Sequence, residues 1–254
     1  MTKVFGFGRI ALMGVVIAGL AAPSAALAQR VRDSRNRSDR NWSDDDRGPK
    51  ETEQVDRTIS IPANGTLRLK NFSGTVRIVA GSGRDVVMKA TRRASRERLD
   101  RIKLDVSTSG STVTIEANKQ DERDRDHNNN VVDTTFDLQV PASINLDVQV
   151  FSSDVTVDGV TGDQKLHSFS GEIEVLHPRG SIDVETFSAD IRMTVSREAR
   201  GNIEFDTFSG SVDTALPITS TSWRRRTVDG TLPGGSGPRM KFHTFSGDLK
   251  INSR

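Results

Sequence analysis

The sequence predicts an all-β protein, a parallel two-sided β-solenoid with about 18–21 residues per coil. Three observations carry this. A short Phe-Ser motif followed by Gly, Ala or Ser returns at Phe151, Phe169, Phe187, Phe208 and Phe245, in steps of 18, 18, 21 and 37. Within those steps small residues fall nine apart, at Gly162, Gly171, Gly180 and Ala189, then at Gly201 and Gly210. Between them apolar residues alternate with polar ones, the period of a half-buried strand. A strand pair of nine-residue units cannot bury its apolar face alone, so stacked coils must supply the core.

The N-terminus reads differently. Lys3 and Arg9 precede an apolar run, Ile10 to Ala22, and Ala26-Leu27-Ala28 offers a small-residue cleavage site. Residues 1–28 are therefore expected to be a secretory signal peptide. Removing them takes away two bases and no acid, leaving 34 basic against 34 acidic residues. A chain with no net charge gives no reason to expect nucleic acid as a partner. There is no Cys, so disulfides and lipid attachment at an N-terminal Cys are excluded. Residues 29–54 are charged, with few apolar side chains, and are expected to be a disordered leader.

From Val55 to about residue 118 an irregular N-terminal β portion is expected. Ile59 and Ile61, Leu67 and Leu69, and Val76 and Ile78 each alternate with polar neighbours. Pro62-Ala63-Asn64-Gly65 marks a turn. Ala94 to Leu99 is the one helical candidate. An outlying copy of the motif, Phe72-Ser73-Gly74, sits in this portion. Residues 119–130 carry no apolar side chain and are expected to form a mobile surface loop. Residues 131–254 are expected to hold the coils.

In the coils three columns should face inward. They are Leu166, Val184, Phe205 and Phe242, three before each motif Phe. Next come Val155, Ile173, Ile191, Val212 and Leu249, four after it. Val157, Val175, Met193 and Ile251 lie six after it. Stacking coils about 4.8 Å apart brings successive motif rings within range of one another, so Phe151, Phe169, Phe187, Phe208 and Phe245 are read as a structural ladder at one corner. The step of 37 is read as two coils, with a worn copy at Thr227-Val228-Asp229-Gly230. Five copies of one Ser in a structural repeat do not make a nucleophile, and no catalytic residue is assigned.

The motifs carry a resemblance. Phe169-Ser170-Gly171-Glu172-Ile173-Glu174-Val175, Phe187-Ser188-Ala189-Asp190-Ile191 and Phe245-Ser246-Gly247-Asp248-Leu249 resemble the repeats of a bacterial "putative adhesin" domain family of unknown function. The resemblance covers roughly residues 55–254. It implies an exported cell-envelope or surface β-solenoid, periplasmic or extracellular, without catalytic residues or cofactor.

The candidate ligand face is the outward column two before each Phe: His167, Glu185 and Asp206, with Arg226 and His243 further along. His167, Glu185 and Asp206 in a row are residue types that bind metals or move protons; a solvated polar face is the plainer reading, and no metal is assigned. Glu174, Arg192 and Asp213 alternate in sign on the other face and should form cross-strand pairs of roughly 0.2–1 kcal/mol each. The sequence thus predicts a non-enzymatic envelope protein that presents a repetitive polar face to an envelope protein or an extended glycan. The alternative is a carbohydrate-active β-helix enzyme that uses the acidic column.

Overall fold

A computed structural model of the chain describes residues 49–119, 131–224 and 226–254. The signal segment and nearly all of the expected leader lie outside the described residues, as do residues 120–130 of the expected loop. Seventeen strands and one short helix make up the described fold.

The coils consist of paired strands. β7 (Asn145–Asp158) crosses both layers, followed by β8 (Gln164–Ser170) and β9 (Ile173–Leu176), then β10 (Ile182–Ser188) and β11 (Ile191–Val195), then β12 (Asn202–Ser209) and β13 (Val212–Thr214). β14 (Thr219–Arg224) and β15 (Thr227–Thr231) precede the last pair, β16 (Arg239–Ser246) and β17 (Leu249–Ser253). β8 pairs in parallel with β7 and β10, and β9 with β7 and β11, so two parallel layers grow side by side. All three expected inward columns are buried, apart from a half-buried Val212, and they join one apolar core.

Two expectations fail at the C-terminal end. The stretch around Val228 is not a coil. β14 and β15 form an antiparallel hairpin, and β15 pairs antiparallel with β12, placing Val228 beside Phe205. The last coil does not sit at the end either. β16 inserts between β10 and β12, parallel to both, and β17 does the same between β11 and β13. A 37-residue step leaves enough chain to form the hairpin and return inside it. Spacing alone cannot distinguish this route from two worn coils.

The N-terminal portion is antiparallel where the coils are not. β1 (Lys50–Ser60) pairs with β3 (Asp85–Ser95), β3 pairs with β6 (Asp133–Pro141), and β4 (Lys103–Ser109) with β5 (Thr112–Lys119). β1 begins at Lys50, so residues 50–54 belong to a strand and not to the leader. β2 (Thr66–Gly81) is a complete coil in one strand: its first half pairs with β5 and β7, its second with β6 and β7, all in parallel. The helix α1 (Arg96–Arg101) follows β3, two residues later than the sequence places it. It is tied down by the buried Arg92, which donates to the Glu53 carboxylate and the Ile102 carbonyl.

The acid after the small residue has a structural task. Asp163 accepts from the Ser181 amide at 3.1 Å, Asp190 from the Asp248 amide at 3.0 Å, and Asp248 from the Ser211 amide at 2.7 Å. Each carboxylate bonds the neighbouring coil at the turn, where an amide would otherwise lack a strand partner. The small residue is required by the same closeness: a Cβ at Gly162 would lie 2.1 Å from the Ile144 carbonyl oxygen.

Candidate binding face

Parity along each strand decides what the outer surface carries. Leu166 faces inward, so His167 faces outward, Ser168 inward and Phe169 outward again. The motif Phe therefore shares a face with the column two residues before it. The motif rings stack in one ladder, with ring centroids 4.6–5.0 Å apart and planes within 2–14° of parallel. Its order is Phe72, Phe151, Phe169, Phe187, Phe245, Phe208. The outlying Phe72 is thus its first rung, and Phe187 neighbours Phe245, where the sequence order places Phe208. The rings are 40–58% exposed, so the ladder is a surface feature and not a core one. Beneath it, buried Asn71 donates to the Thr134 carbonyl at 3.0 Å and to the Ser153 hydroxyl at 3.3 Å, fixing the first turn.

The predicted ligand column is rearranged by the same insertion. In register it runs Lys70, Gln149, His167, Glu185, His243, Asp206. His243 separates the two carboxylates, so Glu185 and Asp206 are not neighbours as the sequence order places them. His167 Nδ1 lies 3.3 Å from Glu185 Oε2. Arg226 is outside the column: Thr227 stands opposite Asp206, and the Arg226 guanidinium lies 5.0 Å from the centroid of the Phe208 ring, closing the end of the ladder. Among the described residues no three His, Asp or Glu side chains converge as a metal site requires. The column and the ladder together line an open groove of about 830 Å³.

A third outward column went unread in the sequence, four residues before each Phe. It runs Arg68, Asp147, Lys165, Asp183, Lys241, Glu204, alternating in sign at every step. Arg68 donates to Asp147 at 2.8 Å. Burial raises the Asp147 pKa, but hydrogen bonds from Arg68 and Gln149 outweigh it and hold the carboxyl below its usual range. This contribution to stability is present above the ordinary carboxylate pKa and is lost as pH falls through the lower folded value. On the opposite layer Lys250 stands between Arg192 and Asp213, and Arg192 pairs with Glu172 where Glu174 was expected.

A family model matches residues 59–252, nearly the whole described fold. The chain belongs to the Toastrack DUF4097 family. Among solved structures, this Toastrack chain is similar to a putative cell adhesion protein from Clostridium sporogenes. The two are 8% identical, and the match covers 81% of this chain and 100% of that one with a TM-score of 0.60, a likeness of fold. A putative adhesin from Bacteroides fragilis also matches, at 10% identity over 78% of this chain and 97% of its own, but with a TM-score of 0.26. No curated protein matches the sequence. Among the described residues no helix of the Toastrack fold is long and apolar enough to cross a membrane.

Proposed function

We propose that this Toastrack chain is an exported, non-enzymatic, adhesin-like protein of the cell envelope or surface, and that it presents the ladder face to a partner. The observation that carries the reading is the six-ring stripe lying exposed beside a polar column on one layer. At about 200 Å² for a whole Phe, the stripe exposes roughly 500 Å² of apolar surface, as large as the functional patches of monomeric proteins. The signal-like N-terminus and the fold shared with the putative cell adhesion protein from Clostridium sporogenes support the location.

The stacking favours a protein partner over a glycan. Sugar rings pack on aromatic faces, and here each face covers the next, leaving edges outward. Nothing supports the enzyme alternative: Glu185 and Asp206 are parted by His243 on an open surface.

The test is binding of folded protein to envelope extract. Phe169→Ser with Phe187→Ser should weaken it about tenfold or more, since anchors of this kind dominate interfaces. The opposite-face variant, Glu174→Ala with Arg192→Ala and Asp213→Ala, should bind as the parent does. The reverse pattern would place the partner on the other layer.

A further inference from the structure

The ladder face is complementary to itself. It has six rungs, each carrying three outward residues. From one end the column four before each Phe runs positive, negative, positive, negative, positive, negative. An alternating series with an even number of members meets its own opposite when reversed; an odd series would meet its own sign.

A two-fold axis parallel to the strands, passing between Phe169 and Phe187, performs that reversal. It would set Arg68 against Glu204, Asp147 against Lys241 and Lys165 against Asp183 of a second copy. In the next column Lys70 would face Asp206, His167 would face Glu185, and Gln149 would face His243. No like charges meet. The rings would meet as one stripe on another. From Phe151 to Phe208 successive ring planes differ by only 2–4°, so the ring stack is nearly untwisted and the match persists along it.

We infer that the partner of this face is a second copy of the same chain, joined across a two-fold axis. The inference rests on the reading of the ladder layer as the interaction face and names its occupant. Two copies would hide roughly 1,000 Å² from the rings alone, and the polar columns bring the interface to the size of a specific one. Because the interface is isologous, each substitution acts twice.

Sedimentation equilibrium of the exported chain up to about 100 µM tests this. The parent should dimerise. Lys165→Asp should set two carboxylates against each other and weaken association about tenfold or more; Asp183→Lys should do the same with two cations. An equimolar mixture of these two variants should regain the dimer, because each charge again faces its opposite. An intramolecular role for Lys165 or Asp183 would not be rescued by mixing. A monomeric parent at the highest concentration, or single variants that dimerise like the parent, would overturn the inference. A monomeric parent whose Phe169→Ser, Phe187→Ser variant still loses envelope binding would sink the dimer and leave the adhesin-like reading standing. A parent dimer that mixing rescues, with envelope binding indifferent to the ladder, would do the opposite.

Discussion

Phe242→Ala should lower the unfolding free energy by about 3–5 kcal/mol, the usual cost of truncating a core Phe. Phe242 is fully buried, and in register it lies between Val184 and Phe205, which is itself 1% exposed. It belongs to the strand that inserts between two earlier coils, so a cavity there loosens contacts to both neighbours. Phe187→Ala provides the contrast. Its ring stacks between Phe169 and Phe245 but is 48% exposed, and its loss should cost no more than about 1.5 kcal/mol. Guanidinium unfolding followed by far-UV circular dichroism measures both. Equal midpoint shifts would mean that the ladder rings are as deeply packed as the column three residues before them.

Gly171→Ala should cost about 3 kcal/mol or more. Two penalties coincide at this turn. The residue has φ +115°, which L side chains rarely adopt, and a Cβ would lie 2.3 Å from the Ser153 carbonyl oxygen of the coil beside it. Backbone strain of this kind costs about 1–3 kcal/mol, and overpacking against a fixed neighbour about as much again. Gly83→Ala is the control: a Cβ there meets nothing within 4 Å, so its effect should stay within about 0.5 kcal/mol. If the two variants unfold together, the turns are looser than the stacking requires.

Most of the fold was legible because its two signals are local. Alternation located the strands, and the recurrence of Phe-Ser with a small residue located the turns. The side on which Phe169 lies was not legible: it stands an odd number of residues after the inward Leu166 but an even number before the inward Ile173, so alternation gives opposite answers across the turn. The place of the last coil was not legible. Repeats identify which segments can stack but not in what order, since Phe245 fits beside Phe187 or Phe208 equally well. That one insertion moved His243 between Glu185 and Asp206 and changed a row of neighbouring acids into an alternating column. Phe72 was missed as a rung because β3 to β6 separate it in sequence from the coil that it joins.

In the proposed function the ladder layer is the surface by which this chain meets its partner. Hydroxyl-radical footprinting, read by mass spectrometry at the ladder phenylalanines, tests it most directly. Phe169 and Phe187 should lose reactivity as protein concentration rises or as envelope extract is added. Rings that stay as reactive in the bound state as in the free one, while the layer carrying Glu174 and Arg192 becomes protected, would contradict it.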